Sequence, residues 1–412
     1  MDKINAGDTA WVLASAALVM LMTPGLGFFY GGLVRRKNVL STVMHSFFIL
    51  CLISVQWVLW GYSLAFGPDW HGLGFIGDLS WAGLRGVGLA PNPDYAATIP
   101  HEAYMVFQMM FAVITPALIT GAFAERKRFK AFVVFSLLWA TVVYDPIAHW
   151  VWGHGGWLSK MGALDFAGGT VVHISSGVSA LVAAYVLGKR LTHTDGEAVE
   201  PHDLTMVVLG CALLWFGWFG FNAGSALAAN GLAASAFVVT NTAAAMGALT
   251  WMTIHWAHKG TPSVAGATAG AVAGLVAITP AAGYVTPAAS IVIGVIVSVV
   301  CYGAVQLRDR LRVDDALDVW AVHGVGGTVG ALATGLFATT VINSGAANGL
   351  FYGNPKQLWI QTIAVLASWG YSAVMTFIVL KVVNLVVPLR VSEKEEAMGL
   401  DVSQHAEVAY TT

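Results

Sequence analysis

Charged side chains are scarce in this sequence. They make up 10% of the 412 residues, whereas hydrophobic residues make up 57%. Soluble globular domains carry roughly a quarter charged residues, so this composition excludes an ordinary soluble domain. No basic block of the kind that binds nucleic acid is present, and the net charge of −2 is uninformative by itself. We therefore expect a protein of the lipid bilayer with no nucleic-acid partner.

Cysteine is also rare. Cys51, Cys211 and Cys301 lie far apart, each inside an apolar segment. This spacing excludes a disulfide framework and indicates small packing residues. Neither an HExxH motif nor paired CxxC motifs occur, which argues against a metalloenzyme. We expect no enzyme and no cofactor.

Long apolar runs are abundant. Residues 11–34, 103–124, 204–229 and 319–341 each exceed the ~20 residues that a helix needs to cross about 30 Å of hydrocarbon. In all we predict eleven transmembrane helices, at about 9–34, 38–66, 103–124, 131–150, 166–187, 204–229, 232–257, 262–282, 285–307, 317–341 and 358–387. The predicted fold class is an all-α polytopic membrane protein with one longer loop near 67–102.

The distribution of basic residues predicts the orientation of these helices. With the N-terminus outside, the cytoplasmic segments hold 16 of the 20 lysines and arginines, and only Lys3, Arg85, Lys160 and Lys356 lie outside. Cytoplasmic loops are enriched in these residues, so we predict an N-out, C-in topology. Only eight residues with a single lysine precede the first span, and we expect it to be retained and not cleaved as a signal peptide.

Two stretches of the sequence repeat with an offset of five spans. DFAGGTVVHISSG (165–177) resembles DVWAVHGVGGTVG (318–330), and GLGFFYGG (25–32) resembles GWFGFNAGS (217–225). The odd offset predicts two inverted repeats, about 9–187 and 204–341, followed by a long eleventh helix. Inverted repeats place a substrate site at their interface near the bilayer midplane.

The repeats relate His173 to His323, which both lie inside apolar spans. Ionisable groups at that depth are costly and are functional candidates. We expect two neutral imidazoles facing each other, one donating a hydrogen bond and the other accepting it. Axial ligation of a haem is the rival interpretation. His45, His149 and His255 lack this symmetry, and we expect each to bond a carbonyl in the packed bundle.

Aromatic residues cluster near the predicted outer ends of three spans. Phe107 and Phe111 lie one turn apart on one helix face, Trp152 is next to a glycine, and Phe221 precedes Ser225 in the sixth span. Aromatic faces combined with one hydroxyl can bind a small cation through π-electrons and a hydrogen bond. The arrangement predicts a cation site at the outer mouth.

Seven long motifs are distributed along nearly the whole chain. They are PGLGFFYGGLVRRKNVL (24–40), GAFAERKRF (121–129), DPIAHWVWG (145–153), LDFAGGTVVHISSG (164–177), WFGFNAGSA (218–226), LRVDDALDVWAVHGVGG (311–327) and GLDVSQHAEVAY (399–410). Together they resemble the ammonium transporters (Amt/Mep/Rh), and among them the bacterial and archaeal Amt branch. The resemblance implies a plasma-membrane homotrimer of eleven-helix subunits, each with a narrow pore for ammonium or ammonia. Methylammonium is a further candidate substrate.

The resemblance also implies roles for individual residues. It places the outer ammonium site at Phe111, Trp152 and Ser225, the gate at Phe107, Phe111 and Phe221, the pore lining at His173 and His323, and supporting roles at Asp165, Trp218 and Asp318. Ammonium would lose its proton near the gate and pass the pore as ammonia. Two alternatives stay open at this point: electrogenic transport with a proton relay, and neutral transport of ammonia.

The motif EAMGLD (396–401) lies in a tail of residues 390–412 that follows the transmembrane domain of residues 1–389. It keeps the ExxGxD spacing of Glu396, Gly399 and Asp401 with which this family folds its tail against the neighbouring subunit. The resemblance implies cooperative gating and docking of a PII-type signal protein on the cytoplasmic face. The chain departs from the family at Ala406, where glycine is common, and at Val408, where an acid is common. A disordered, charged tail is the alternative.

Two other functions compete with transport of ammonium. A sensor that binds ammonium but transports little would be expected to carry a long domain after residue 390, where about twenty residues follow. A sodium-coupled carrier of a larger amine fits a narrow, aromatic, glycine-rich pore poorly. We therefore predict an ammonium transporter or channel.

Overall fold

Helices form the architecture throughout the described part of the chain. The computed structural model describes residues 4–195 and 199–411, so Lys3 falls outside them, and only isolated bridges accompany the helices there. Within these residues, nine helices are long and apolar enough to cross a membrane. Helix α8 is a shorter apolar helix, and α10 consists of two consecutive parts. In chain order the helices are α1 (Ala6–Leu33), α2 (Arg36–Phe66), α3 (His101–Phe123), α4 (Phe129–Met161), α5 (Gly169–Leu187), α6 (Leu204–Ala226), α7 (Gly231–Lys259), α8 (Val264–Ile278), α9 (Pro287–Leu311), α10 (Trp320–Val325 continued by Gly326–Phe337), α11 (Pro355–Val386), α12 (Glu393–Met398) and α13 (Leu400–His405).

Each of the eleven predicted segments overlaps one of the helices α1 to α11, and the number of membrane crossings stays a prediction. The helix ends differ from the prediction for local reasons. Helix α8 ends at Ile278 and not near 282, because Pro280 has no amide hydrogen to continue the ladder. Helix α4 breaks after Trp152, and Trp157–Met161 forms a separate turn. The break places Trp152 at a helix end, where its side chain can reach a loop.

Hydrogen-bonding side chains define where several helices begin. Each such residue accepts a bond from an amide two or three positions along, which satisfies a donor that has no partner inside the helix. The N-terminal caps are Asn5 for α1, Asp203 for α6, Asn230 for α7, Ser263 for α8 and Thr286 for α9. Helix starts are therefore specified locally even in this apolar chain.

Helix α1 packs along α6 through glycine. A β-carbon on Gly210 would lie only 2.3 Å from the backbone nitrogen of Phe29, so no larger residue fits there. Inside lipid, small residues allow the close backbone approach that holds helices together. Helix α5 packs along α10 in the same manner, and the two contacts join corresponding helices of the two predicted repeats. The duplication and its inverted orientation stay predictions.

Candidate functional site

The structure brings together the two histidines that the sequence paired. The Nδ1 atoms of His173 and His323 are 3.3 Å apart, and the two rings are nearly parallel with centroids 5.3 Å apart. Both side chains are buried. One Nδ1 must carry a hydrogen for this contact to be a hydrogen bond, and the other must be a free acceptor. Neutral imidazoles in opposite tautomers meet that condition.

The backbone around each histidine has the same unusual form. His173 lies in a π-helical turn, Gly169–Ile174, and His323 lies in another, Trp320–Val325. Such turns are rare in proteins overall, and those that occur often lie at functional sites. Gly177 follows the first turn, and a β-carbon on it would stand 2.0 Å from the amide nitrogen of Gly324, which lies in the second turn. The glycine contact lets the two helices cross closely enough for the imidazoles to meet.

A line of aromatic rings leads from the histidines to Trp152, at the break in α4. Ring centroids are separated by 6.0 Å from His173 to Phe221, by 4.3 Å from Phe221 to Phe111, and by 5.8 Å from Phe111 to Trp152. Phe107 lies 5.0 Å from Phe111 on the same helix face. Phe111 and Phe221 are almost fully buried, so they close the path between Trp152 and the histidines.

Ser225 lies at the end of α6, next to this aromatic cluster. Its hydroxyl donates to the carbonyl oxygen of Phe221 at 2.8 Å, which leaves oxygen lone pairs free to accept from a ligand. A β-carbon on the preceding Gly224 would lie 2.9 Å from the Phe107 ring, so glycine brings this turn against the cluster. Ser225 is half-buried. It offers an acceptor, which is what a cationic N–H donor needs.

Asp165 holds the start of α5 and does not face the aromatic line with free oxygens. Its carboxylate accepts bonds from the amides of Gly168 at 2.7 Å, Gly169 at 2.6 Å and Thr170 at 2.7 Å, and from the Thr170 hydroxyl. An anion at a helix N-terminus is stabilised by the helix dipole. The Trp152 indole N–H donates to the Asp165 carbonyl oxygen at 2.8 Å. Asp165 therefore positions both the π-helical turn and Trp152.

Trp218 contacts the histidine pair directly, a placement that the sequence left without a defined role. Its ring stacks on His173 at 5.4 Å and 23°. Its indole N–H donates to the hydroxyl of Thr279 at 2.8 Å. Because both residues are buried, the bond fixes the plane of Trp218 and hence one wall beside His173. No motif pointed to Thr279.

Two cavities flank the histidines. A very small apolar one of about 10 Å³ is lined by Phe221, Trp218 and both histidines. This is about the space that a single water molecule needs. A larger cavity of about 250 Å³ opens on the far side of His323. Asp318 lines that larger cavity and pairs with Arg308 at 2.7 Å, so it lies on the other side of the histidines from Trp152.

The spacing of the histidine nitrogens argues against the haem interpretation. Two imidazole nitrogens on opposite sides of one metal ion stand about 4 Å apart, since each metal–nitrogen bond is about 2 Å. The Nδ1 atoms of His173 and His323 are 3.3 Å apart. Trp218 and Phe221 also stack beside His173. The pair has no room for a macrocycle between its rings.

The tail folds onto loops of its own chain. The Glu396 carboxylate accepts from the Leu191 amide and from the Arg390 guanidinium, both at 2.7 Å. The Asp401 carboxylate accepts hydrogen bonds from the amides of Leu40 at 3.1 Å and Ser41 at 2.8 Å, both near the start of α2. Two of the three tail residues singled out by the motif thus accept hydrogen bonds from backbone or side-chain donors of the same chain. Contact with a neighbouring subunit stays a prediction.

The third motif residue, Gly399, permits a backbone turn. Its φ is +106°, and a β-carbon there would lie 2.7 Å from the carbonyl oxygen of Lys37. Ala406 also has a left-handed backbone, with φ of +56°. This conformation is costly for a residue with a β-carbon. Glycine would adopt it more easily than the alanine that this chain has. Val408 is exposed.

A buried ion network was not foreseen from the sequence. The Glu125 carboxylate pairs with Arg35 at 3.0 Å and with Arg190 at 2.9 Å, and Arg190 also pairs with Asp314 at 2.8 Å. Burial acts to raise the pKa of Asp314, but the charges of Arg126 and Arg190 outweigh it and lower that pKa to about 2. The network ties together four loops. The acid within the basic stretch of GAFAERKRF was the available signal.

The three histidines expected to play only packing roles divide into two kinds. His149 and His255 each place Nδ1 3.0 Å from a backbone carbonyl oxygen, as predicted. The prediction for His45 is wrong, because neither ring nitrogen has a hydrogen-bond partner among the described residues. Its ring packs against aromatic rings of α4 instead, with Phe132 at 4.3 Å. Helix packing turned this residue toward a face that offers no acceptor.

Comparison with known proteins was made against sequences and solved structures. A sequence model described as the Ammonium Transporter Family matches residues 10–410. An ammonium transporter of Bacillus subtilis is 56% identical over 408 residues and covers 99% of both chains, and the ammonium transporter Amt1 of Archaeoglobus fulgidus is 50% identical, covering 99% of this chain and 100% of its own. The structure of Candida albicans Mep2 aligns with a TM-score of 0.90 at 40% identity, covering 96% of this chain and 88% of that one. A structure titled Sensor Amt Protein aligns with a TM-score of 0.88 at 30% identity, covering 97% and 98%.

Proposed function

The chain belongs to the ammonium transporter family, a family of transport proteins and not of enzymes, and from this premise we propose how it moves its substrate. It is a multi-pass membrane protein. Ammonium binds at Phe111, Trp152 and Ser225, loses a proton near Phe111 and Phe221, and passes His173 and His323 as ammonia. The ammonia then enters the larger cavity beyond His323.

The observation that supports this route is the unbroken succession of rings from Trp152 to His323. Successive centroids from Trp152 through Phe111, Phe221 and His173 to His323 are 4.3 to 6.0 Å apart. The outer end offers aromatic faces and a serine oxygen, which suit a cation that donates hydrogen bonds. The inner part is apolar and barely wider than one small molecule. The chemistry along the route thus changes from cation-binding to neutral.

This change explains how ammonium is separated from potassium. The two cations are similar in size, so a sieve cannot distinguish them. An apolar pore imposes a desolvation cost of at least several kcal/mol on any bare cation. Potassium cannot lower this cost, whereas ammonium can release a proton and continue as a neutral molecule. Phe111 and Phe221 close the path, so ammonium must lose its charge there.

The fate of the released proton separates two versions of the proposal. In one version the hydrogen-bonded pair of His173 and His323 relays it, and transport carries charge. In the other the proton stays outside and transport is neutral. Currents on solid-supported membranes distinguish them, with internal pH recorded in parallel. A relay predicts that His173→Ala abolishes the ammonium-evoked current, while the matched exposed variant His258→Ala keeps it. An undiminished current in His173→Ala would exclude the relay.

Uptake in proteoliposomes tests the function itself. We expect saturable flux with ammonium, flux of methylammonium as a further substrate, and no response to potassium at equal concentration. Equal responses to potassium would indicate an unselective cation channel. Binding of ammonium without flux would support the second candidate, a sensor, which the likeness to the Sensor Amt Protein structure brings forward.

The assembly and its surroundings complete the proposal. We propose eleven membrane crossings with the N-terminus outside, a homotrimer, and the plasma membrane as location. The tail contacts of Glu396 and Asp401 support a folded cytoplasmic surface on which a PII-type protein docks and through which subunits gate cooperatively. Light scattering in detergent measures the trimer, accessibility of single cysteines measures the orientation, and pull-down with a purified PII-type protein measures docking.

A further inference from the structure

The break in α4 after Trp152 is held by a segment of the long loop, residues 69–75. Beyond the break, the Trp157 amide donates a hydrogen bond to the carbonyl oxygen of Gly74 at 3.1 Å. Before the break, the Trp150 indole N–H donates to another carbonyl oxygen of the same segment at 2.8 Å. Because the segment bonds both sides of the break, it sets the path of the chain around Trp152.

Asp69 begins this loop segment and connects it to α4. Its carboxylate accepts a hydrogen bond from the Gly74 amide, which lies 2.8 Å and 3.0 Å from the two oxygens. Its Oδ1 atom also lies 3.1 Å from Nε2 of His149, in the last turn of α4 before the break. The His149 side chain is fully buried and that of Asp69 is 10% exposed, so water competes little for this contact.

The contacts of His149 determine where its hydrogens must be. Its Nδ1 lies 3.0 Å from the carbonyl oxygen of Ala65, and a carbonyl oxygen only accepts, so Nδ1 carries a hydrogen. A neutral imidazole then has a lone pair at Nε2, which would face the Asp69 carboxylate, a second acceptor. One added proton, on either Nε2 or the carboxyl group, turns this contact into a hydrogen bond. The bond therefore exists only while His149 and Asp69 share that proton.

The other ionisable groups around His149 do not replace Asp69 as its partner. Lys160, exposed on the turn that follows the break, acts on His149 through its charge, but an ammonium group cannot accept a hydrogen bond. The remaining titratable side chains nearby have other contacts: His154 with Asp94, Tyr62 with His101, Tyr95 with the Phe66 carbonyl, Asp78 with Ser80, Asp145 with Gln56, and His71 with the Trp70 ring.

We propose that Asp69 and His149 are positioning residues for Trp152, which act by sharing one proton taken up from solution. With this proton bound, loop segment 69–75 is fastened and Trp152 is held beside Phe111. When the proton leaves, the two acceptors repel each other and the segment loosens. Because the fastened state binds one more proton, it is favoured at low pH and is lost as the pH rises. The inference rests on the proposed outer ammonium site and adds a pH dependence of its affinity.

Ammonium uptake by the full-length protein in proteoliposomes, with equal pH on both sides, tests this pair. Histidine changes its charge between about pH 5 and pH 8. Across this range the half-saturating ammonium concentration should rise about tenfold, since a misplacement of about 1 Å can cost up to about 100-fold. The concentration is corrected to ammonium at each pH.

Two substitutions of Asp69 separate the proton from the contact. Asp69→Asn keeps both contacts without an added proton, because its amide N–H donates to Nε2 of His149 and its oxygen accepts from Gly74. We expect it to hold the low-pH affinity at every pH, and we expect Asp69→Ala to bind weakly at every pH. Asp94→Asn, at an exposed acid of the same loop, is the matched control and keeps the wild-type pH dependence.

Amide hydrogen exchange of loop segment 69–75 measures the fastening directly. It is recorded without ammonium and corrected for the intrinsic effect of pH. Protection should fall with rising pH in the wild type, in parallel with the affinity, but not in Asp69→Asn. Absent flux in the wild type would contradict the transport proposal, whereas the exchange pattern would still support or overturn the role of the pair.

Three results would overturn the inference. If Asp69→Asn keeps the wild-type pH dependence, the shared proton has no effect. If Asp69→Asn behaves like Asp69→Ala, the charge of Asp69 and not its hydrogen bond holds the segment. If exchange responds to pH and the affinity does not, loop segment 69–75 does not position Trp152.

Discussion

Gly177 crosses Gly324 so closely that a β-carbon on Gly177 would stand 2.0 Å from the Gly324 amide nitrogen. Four residues before Gly177 lies His173, and one residue before Gly324 lies His323, so this crossing sets the distance between the two imidazoles. A hydrogen bond between rings on different helices tolerates a change of only a few tenths of an ångström in the distance between donor and acceptor. The proposed pore therefore depends on two residues that have no side chains.

Gly177→Ala is expected to destroy transport more than it destroys folding. The added methyl pushes α5 from α10, at an overpacking cost of about 1–3 kcal/mol, and a misplacement of about 1 Å at a site can lower its rate about 100-fold. Flux in proteoliposomes and thermal unfolding in detergent measure the two effects. Gly303→Ala is the control, since its β-carbon meets no atom within 4 Å. Wild-type flux in Gly177→Ala would show that the crossing does not position the histidines.

Trp152→Ala is expected to weaken ammonium binding. Removing one aromatic face costs about 0.5–2 kcal/mol of cation–π attraction, so the half-saturating ammonium concentration should rise about 2- to 30-fold. Trp152→Phe keeps a ring but loses the indole bond to the Asp165 carbonyl, and should fall between wild type and Trp152→Ala. Concentration dependence of flux is the measurement. Trp359→Ala, on an exposed part of α11, should leave it unchanged.

Thr279→Val is expected to act through Trp218. Valine has nearly the same shape but offers no acceptor, so the buried indole N–H of Trp218 loses its partner at a cost of about 1–3 kcal/mol. The unfolding temperature should fall. Ammonium flux should also fall, because the Trp218 ring beside His173 is no longer held in a fixed orientation. Thr253→Val, at an exposed position, controls for the exchange itself. Equal stability of the two variants would mean that the Trp218 bond contributes nothing.

Acidification is expected to weaken the buried ion network. Asp314 has a folded-state pKa of about 2 against an unfolded value of about 3.9. A depressed pKa contributes stability that is present above the unfolded value and is lost as the pH falls toward the folded one. Stability should thus decline between about pH 4 and pH 2 by about 2.5 kcal/mol. Unfolding in detergent across this window should show a shallower decline in Asp314→Asn than in the exposed control Asp94→Asn.

Ala406→Gly is expected to tighten the tail. Ala406 has a φ of +56°, and relieving the β-carbon clash in that region is worth about 1 kcal/mol. Amide hydrogen exchange of α13 should slow accordingly. Ala397→Gly, inside α12 at an exposed position, should speed exchange because glycine costs about 1 kcal/mol in a helix interior. The opposite order of the two variants would contradict the role of backbone strain.

Much of the fold could be predicted from the sequence because it depends on local properties. Helix α3, for example, needs only an uninterrupted apolar run. The end of α8 was predicted about four residues too late, although Pro280 was the local signal for it. The partnership of His173 and His323 was also accessible, because an internal repeat carries information between distant parts of a chain. Family motifs supplied the remaining candidate residues, from Phe107 to Asp318.

Other features depended on which helix faces meet, and no local pattern reports that. Thr279 bonds Trp218 across 61 positions of sequence, and Arg190 meets Asp314 across 124. Among the residues that the structure describes, His45 meets no acceptor, because its face of α2 packs on phenylalanines. Hydropathy measures how apolar a segment is, but not its rotation about its own axis. The sequence by itself therefore determined the helices and the kinds of side chain that they carry. Tertiary packing alone decided which side chains come within bonding distance, because a hydrogen bond is made or lost over less than an ångström.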